Sequence, residues 1–381
     1  MAGPPASSEG WPRAEDARSP EGERRRGRLR VGVLGLGRMG RFHAESLAGR
    51  AARCELACVS DLDAGRGEQV ARELGVPFFA DPDAMMSSVD VDAVVVATPS
   101  ASHAALSVAA ARAGKHTFCE KPISLDHGTT VRTLEEISRC GVVFQVGLHR
   151  RFDPDWVLVA ERIGAGELGD PYFYRASLRD MSSPPASFLT GSGGMFLDVT
   201  LHDLDVARWW MGEVVRITAQ GAALSDPAFA REGDVDVAVV TLEFESGALG
   251  VIDNGRSAGY GYESSAEVVG SKASAWIGNR PPHGVEWRTP GWRSSAVAAD
   301  FTERYPAAYR RELEGFARSV LDGEPVRASG WDALAAFELG MAAARSYRTG
   351  RAVRTRPYVT ASGVRYEIDG APAGSADPEA G

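Results

Sequence analysis

The chain has 381 residues, of which 44% are hydrophobic and 24% charged, the composition of a globular protein with room for two domains. Its net charge of −9 argues against a nucleic-acid-binding surface, and no apolar run approaches the ~20 residues that cross a membrane. The four cysteines form no C-x-x-C pair and no zinc spacing, so we expect reduced thiols in a cytoplasmic protein.

Residues 1–28 are rich in Pro, Ser, Gly, Glu and Arg and show no apolar periodicity, which predicts a disordered tail. Three arginines, residues 24–26, precede an apolar stretch, as in a twin-arginine export signal. That stretch is too short for a signal and itself forms the first predicted strand, so we do not expect export.

A strand from Val31 to Leu34 leads into a glycine-rich turn of the form G-x-G-x-x-G. The first glycine permits the turn, the second lets a pyrophosphate approach the backbone, and the third lets the next helix pack on the strand. We expect that helix to begin near Arg38, with its N–H groups facing the phosphates. The residues of this turn that we predict to bind a dinucleotide are Gly35, Leu36, Gly37, Arg38, Met39 and Gly40.

Asp61 follows a second predicted strand, residues 55–59, about 20 residues after the last glycine. By itself Asp61 is typical of a turn, but here it predicts the carboxylate that binds an adenosine ribose. A carboxylate accepts from a 2′-hydroxyl and repels a 2′-phosphate, which favours NAD over NADP. Arg66 keeps NADP open, because it could bind a phosphate.

Helices and strands alternate up to residue 148, which predicts a parallel sheet covered on both faces, a dinucleotide-binding domain over 29–148. The further predicted helices are 42–51, 64–74 and 102–113, and the further strands are 78–80, 92–97, 117–119 and 142–146.

After residue 148 the pattern becomes one of alternating apolar and polar residues, typical of an open antiparallel sheet with one buried face. The predicted strands are 172–178, 215–219, 235–244, 247–254, 264–270 and 274–277, and the predicted helices are 156–163, one through 202–210, 305–321 and 333–347. Few helices remain to cover the second sheet face, so we expect a homo-oligomer. We assign residues 149–357 to a substrate and oligomerisation domain, and 358–381 to a loose C-terminal tail.

Glu120, Lys121 and Pro122 follow a short strand at the predicted cofactor edge of the first sheet. A Glu-Lys pair alone is usually a solvated surface feature. At a strand end in such a sheet, Lys121 would reach the nicotinamide and stabilise developing negative charge on a substrate oxygen.

Asp198 and His202 are spaced i, i+4, which places both on one face of a helix. His202 would accept the proton of an alcohol, and Asp198 would orient it. Two other interpretations are a metal site of Asp198, His202 and Asp205, whose spacing matches no known motif, and a capped helix with one buried histidine.

Thr98, Pro99 and His103 follow the fourth strand at the same edge and could flank the cofactor. The same residues could instead form only a turn with an N-cap at Ser100 or Ser102.

These features together resemble the Gfo/Idh/MocA oxidoreductases, from about residue 29 to about residue 356, and most of all the members that act on inositol. The resemblance rests on the glycine turn, the stretches 97–99, 118–122, 147–153 and 192–194, the D-x-x-x-H pair, and the stretches 260–262 and 269–272. It implies a Rossmann domain, a second α/β domain with an open sheet, NAD as cofactor and a tetramer.

The resemblance also implies roles for single residues. Lys121, Asp198 and His202 would be catalytic, and the substrate would further meet Arg150, Asp180, Tyr262 and Tyr309. The implied reaction oxidises a secondary hydroxyl of a cyclic polyol, myo-inositol to its 2-ketone. His149, Trp156 and Leu197 depart from the pattern of similar members, which leaves a sugar, an inosose or an aminocyclitol open as substrate. A non-catalytic NAD-binding sensor and a metal-dependent hydrolase are the rivals from other classes.

Overall fold

The structure is a computed structural model that describes residues 27–370. Its strands are Leu29–Leu34 (β1), Cys54–Ser60 (β2), Phe78–Phe79 (β3), Ala93–Val96 (β4), His116–Cys119 (β5), Phe144–Val146 (β6), Pro171–Arg179 (β7), Val214–Ala222 (β8), Val237–Phe244 (β9), Leu249–Gly255 (β10), Glu263–Gly270 (β11), Ser274–Ile277 (β12), Glu286–Thr289 (β13), Trp292–Ser295 (β14), Val353–Thr360 (β15) and Gly363–Ile368 (β16). Its α-helices are Arg38–Gly49 (α1), Ala64–Leu74 (α2), Pro82–Met86 (α3), Ser100–Arg112 (α4), His127–Cys140 (α5), Pro154–Gly164 (α6), Ala186–Ser192 (α7), Gly194–Asp198 (α8), Thr200–Met211 (α9), Pro227–Arg231 (α10), Phe301–Arg304 (α11), Pro306–Leu321 (α12) and Gly330–Thr349 (α13).

The first sheet has six strands in the order β3-β2-β1-β4-β5-β6, and all of its pairs are parallel. Its central strand β4 is buried along its whole length, because parallel strands joined by helical crossovers are covered on both faces. The order reverses between β1 and β4, the crevice in which such sheets bind dinucleotides. The predicted fold class is confirmed for this part of the chain.

The second sheet has eight strands in the order β12-β11-β7-β10-β9-β8-β15-β16. It is mixed, because β7 and β10 pair in parallel while its other pairs are antiparallel. Alternate residues of β9 are buried and exposed, so one sheet face packs on helices and the other is open. This is the open, mostly antiparallel sheet that the alternating pattern predicts.

Two late helices join the sheets. Leu313 and Phe316 of α12 are buried in the core of the first sheet, although they come late in the chain. Ala335 and Leu339 of α13 pack in the core of the second sheet, while Phe337 packs with Val146 of β6. The two domains are therefore joined by buried side chains of α12 and α13.

The predicted loose tail from residue 358 is wrong for residues 358–368. They belong to the hairpin of β15 and β16, which extends the second sheet through the pairing of Val353 with Ile217 of β8. This pairing joins segments that are far apart in sequence, so the polar local composition did not reveal it. Residues 371–381 and 1–26, which carry the rest of the predicted tails, lie outside the described residues.

α5 and the β13–β14 hairpin, like the short helices α3, α7, α10 and α11, were not predicted from the sequence. The local signals for α5 are Asp126, which caps its first turn by accepting from the Thr129 N–H, and Gly141 with a positive φ of 67° after its last turn. All eight residues of β13 and β14 are exposed, so no core pattern marks that hairpin. Among residues 27–370, no helix has the length and apolarity that a bilayer crossing requires.

Candidate active site

Every loop that carries a predicted site residue of the first sheet leaves the sheet at its carboxyl edge. The glycine turn follows β1, Asp61 follows β2, Thr98 follows β4, and Glu120 and Lys121 follow β5. Because parallel strands all point the same way, these loops meet along one crevice. Asp198, His202 and Asp180 come from the second domain and face this crevice through the contacts described below.

The glycine turn has the geometry that the pattern predicts. Gly35 adopts a positive φ of 84°, which L residues rarely take, and a Cβ on Gly40 would collide with the Gly35 carbonyl oxygen. A Cβ on Gly37 would meet no other described atom within 4 Å, so open space lies in front of the turn. α1 begins at Arg38, as predicted, and points its N-terminus at that space.

Arg38 reaches across to the second domain. Its guanidinium lies 4.1 Å from the centre of the Phe301 ring and 3.3 Å from the Asp300 carboxylate. The cation therefore stands at the rim of the crevice, beside the space in front of Gly37.

Asp61 is a buried carboxylate with four hydrogen bonds. It accepts from the backbone N–H groups of Leu36 at 2.6 Å and Asp63 at 2.8 Å, and from Arg66 Nε at 3.1 Å and Nη2 at 2.8 Å. Burial would raise the pKa of Asp61, but the hydrogen bonds from Arg66 and the two N–H groups lower it. Asp61 is thus ionised, and Arg66 is paired with it rather than free for a phosphate.

Lys121, Asp198 and Arg256 form a charge cluster where the two domains meet. Lys121 Nζ lies 2.6 Å from Asp198 Oδ1, and Arg256 Nη2 lies 2.7 Å from Asp198 Oδ2. Burial would raise the pKa of Asp198, but the two cations lower it to about 2. Lys121 also donates to the Asp198 carbonyl at 3.0 Å, so two of its three N–H donors are used by Asp198.

Arg256 was missed by the sequence analysis, although it directly follows an alternating strand, β10. Its Nη1 also approaches Asp180 Oδ2 at 3.4 Å, so one guanidinium links two of the predicted carboxylates. Burial raises the pKa of Asp180, and Arg256 only partly opposes this.

The predicted single helix through Asp198 and His202 is interrupted. Asp198 ends α8, His202 lies in α9, and Val199 stands between the two helices. Each Asp198 oxygen accepts from a cation, Lys121 or Arg256, and among the described residues no hydrogen bond joins this carboxylate to the His202 ring. The third member of the metal alternative, Asp205, is instead paired with Arg151, at 2.8 Å from its Nη2.

His202 lies in a group of aromatic rings at the same junction. The His149 ring packs edge-on against His202 at 5.0 Å between centroids and stacks on Tyr309 at 4.9 Å. Burial, followed by the charge of Lys121, lowers the pKa of His202 well below its ordinary value of 6.5. His202 is therefore neutral at pH 7 and can accept a proton.

The other predicted substrate groups divide into two classes. Tyr262 and Tyr309 are buried, and burial raises the pKa of both phenols well above 10, so they remain hydroxyl donors. Arg150 is a cation instead: its guanidinium pairs with Asp203 inside the protein and lies 4.8 Å from the Trp156 ring. Removing either partner of a buried ion pair of this kind would leave an uncompensated charge inside the protein.

Glu120 belongs to a second buried cluster behind Lys121. Its Oε1 lies 2.7 Å from His43 Nε2. Burial would raise the pKa of Glu120, but His43, Lys121 and His103 together lower it. Glu312 completes the cluster with 0% exposure and no hydrogen-bond partner on either oxygen among the described residues. Burial and the Glu120 charge raise the pKa of Glu312 well above 4.5, which favours its neutral, protonated form.

Thr98 and His103 are joined to the loop after β5. Both nitrogens of the His103 ring face backbone carbonyl oxygens, so neither is free to meet a cofactor. The Ser102 hydroxyl donates to Thr98 Oγ1 at 2.7 Å, while the N-cap of α4 is Pro99 and has no side-chain cap. Neither Ser100 nor Ser102 is therefore the helix cap.

Comparison with known families identifies both halves of the chain. Residues 29–148 match the model for the NAD-binding Rossmann fold of the Gfo/Idh/MocA oxidoreductase family, and residues 160–355 match the model for its C-terminal α/β domain. The site fits the NAD of that Rossmann family: open space lies in front of Gly37, the positive end of α1 faces it, and Asp61 is ionised.

Individual proteins match over nearly their whole length. The chain is 38% identical to a scyllo-inositol 2-dehydrogenase (NAD(+)) of Bacillus subtilis, covering 86% of this chain and 96% of that one. It is 41% identical to a myo-inositol 2-dehydrogenase of Thermotoga maritima, covering 86% and 98%. A scyllo-inositol dehydrogenase of Lactobacillus casei, crystallised with NAD(H) and scyllo-inositol, superposes with a TM-score of 0.81 at 29% identity, covering 86% and 99%.

Proposed function

The chain belongs to the Gfo/Idh/MocA oxidoreductase family, and on this premise we propose that it oxidises a secondary hydroxyl group of an inositol. It is an NAD-dependent oxidoreductase that acts on CH–OH groups, as the sequence predicted. The observation that carries the proposal is the meeting of Lys121 and Asp198 beside a neutral His202. The names of its relatives favour myo-inositol or scyllo-inositol as substrate.

In the proposed mechanism, His202 accepts the proton of the substrate hydroxyl as its oxygen becomes a carbonyl. Lys121 uses its third N–H donor, which Asp198 leaves free, to hold that oxygen and stabilise its developing charge. NAD, when bound by the glycine turn and Asp61, supplies the acceptor for the hydride from the same carbon. The charge of Asp198 keeps Lys121 in place between the two domains.

The remaining hydroxyl groups of the ring would meet Asp180, Tyr262 and Tyr309. A site built to hydrogen-bond many hydroxyl groups rejects analogues that lack them, because its polar groups are then left unpaired. We place Arg150 outside this set, because it pairs with Asp203 in the interior. The His149 ring contacts both His202 and Tyr309, so a side chain of different size at position 149 would alter which substrate ring fits the pocket.

A substrate panel tests the proposal. The purified enzyme is mixed with NAD or NADP and with myo-inositol, scyllo-inositol, glucose, an amino sugar or cyclohexanol, and NADH or NADPH formation is followed. We expect an inositol with NAD to give the highest kcat/KM and cyclohexanol to be a very poor substrate. Faster turnover of a sugar than of either inositol would overturn the substrate but leave the dehydrogenase. Tight NADH binding without turnover of any polyol would favour a sensor.

We also propose that residues 29–148 form the NAD-binding domain, and that residues 149–357 bind the substrate and join copies of the chain into a homotetramer. The support for an assembly is the open face of the second sheet, where Leu249 is 55% and Val239 43% exposed. The cytoplasm is the proposed compartment, because all four cysteines are free thiols and three of them are buried.

Sedimentation tests the assembly, with Val239→Glu as the disruptive variant. Val89, which is 83% exposed on a loop of the first domain, supplies the control Val89→Glu. We expect a tetramer for the wild type and the control, and smaller species for Val239→Glu. A wild-type monomer of 40.5 kDa at micromolar concentration would refute the assembly.

A further inference from the structure

His103 connects two of the loops that form the crevice. It lies near the start of α4 with only 2% of its surface exposed. Its Nδ1 is 2.8 Å from the Pro122 carbonyl oxygen, and its Nε2 is 2.7 Å from the Thr98 carbonyl oxygen. Pro122 follows Lys121 directly, and Thr98 belongs to the loop after β4.

These two contacts determine the proton count of the ring. A neutral imidazole has one N–H donor and one lone pair, whereas a carbonyl oxygen can only accept. A neutral His103 would therefore set a nitrogen lone pair against a carbonyl oxygen at hydrogen-bond distance. Two N–H groups satisfy both carbonyl oxygens, and a ring with two N–H groups carries a positive charge.

We propose that His103 is a buried imidazolium that ties the loop after β4 to the loop after β5 and so positions Lys121. Within the described chain, the titratable groups that act on the ring are Cys119 and Glu120, both at the end of β5. Burial lowers the pKa of His103, but Cys119 and the two carbonyl oxygens raise it to about 9. The positive charge that the two carbonyl contacts require is therefore the form that the neighbouring groups of His103 also favour at pH 7.

The consequence for catalysis rests on the proposed function. Lys121 must hold its third donor at the substrate oxygen, and a catalytic group displaced by about 1 Å can lose on the order of 100-fold in rate. His103 does not touch the reacting atoms. It acts through the backbone of the Lys121–Pro122 segment, so its loss should lower kcat more than it weakens cofactor binding.

The first experiment measures the charge directly on the complete wild-type protein. Histidine ring resonances are followed by NMR from pH 6 to pH 10 and assigned through His103→Asn. We expect His103 to remain protonated at pH 7 and to titrate with a pKa of about 9. His116 is the internal control, because burial lowers its pKa and its Nδ1 accepts from the Val143 N–H at 2.9 Å. A neutral His103 ring at pH 7 would overturn the proposal, whatever the substrate is.

The second experiment separates positioning from general stability. His103→Asn and His116→Asn each remove a ring from the same domain, but only the first touches the loops at the crevice. We expect His103→Asn to lower kcat at least tenfold with the NADH Kd changed no more than a few-fold, and His116→Asn to keep near wild-type kinetics. Equal kinetic losses in both variants, or an unchanged kcat in His103→Asn, would contradict a positioning role. If His103→Asn does not fold, the His103 resonances are assigned by elimination, through variants of the other six histidines, and the titration of the wild type decides.

Discussion

Asp198→Asn should destabilise the protein because it removes the one negative charge between Lys121 and Arg256. The pKa of Asp198 falls from an ordinary value of 3.8 to about 2. A tenfold change in an acid dissociation constant corresponds to about 1.4 kcal/mol, so the ionised carboxylate contributes about 2 kcal/mol to the free energy of unfolding at pH 7. An asparagine also turns an N–H₂ group toward one of the two cations, which then loses its carboxylate oxygen. We therefore expect a total loss of about 2 to 4 kcal/mol.

Urea unfolding of wild type and Asp198→Asn at pH 7 and pH 3 measures this loss. Because the folded pKa is depressed, the contribution is present above 3.8 and is lost as the pH falls toward 2. The gap between the two proteins should shrink by about 1 kcal/mol at pH 3. Asp322→Asn is the matched control, since Asp322 pairs with Arg53 at the exposed surface, and should cost less than about 1 kcal/mol. The reasoning would be refuted if Asp198→Asn lost no more free energy of unfolding at pH 7 than Asp322→Asn does. It would also be refuted if the loss for Asp198→Asn were larger at pH 3 than at pH 7.

Four further variants follow from the same site. Lys121→Ala and His202→Ala should each lower kcat by orders of magnitude while the Kd for NADH stays within a few-fold, and near-normal turnover in either would remove its assigned role. Asp61→Ser should lower the NAD over NADP ratio of kcat/KM substantially, and an unchanged ratio would end the assignment of Asp61. Glu312→Gln should change the free energy of unfolding by less than about 1 kcal/mol, because the carboxyl is already neutral, whereas a loss of several kcal/mol would mean that Glu312 is ionised.

Local patterns sufficed for the glycine turn of the dinucleotide half of the molecule. The turn from Gly35 to Gly40 and the start of α1 at Arg38 depend on neighbouring residues, so short-range sequence spacing predicts them. The same spacing rule was misleading for Asp198 and His202. A spacing of four residues is equally compatible with one helix and with two helices separated by Val199, so the spacing alone does not distinguish them.

Arg256 shows what local sequence could not supply. It follows β10, which pairs in parallel with β7, so that Gly255 lies opposite Arg179 and Arg256 comes beside Asp180. The two segments are far apart in the chain, and nothing in either one specifies their pairing. The pairing of Arg256 with Asp198 therefore could not be predicted without knowing the order of the strands in the second sheet.

The placement of charges explains how His202 can serve as the base without a carboxylate partner. Asp198 accepts from Lys121 and Arg256, and its charge lowers the electrostatic cost of holding these two cations at the domain junction. The remaining positive field of Lys121, together with burial, keeps His202 neutral and ready to accept a proton. Once a substrate hydroxyl gives up that proton, the same lysine stabilises the oxygen left behind. Lys121, held at the domain junction, thus has two effects. It keeps His202 neutral before the reaction, and it stabilises the negative charge on the substrate oxygen during it.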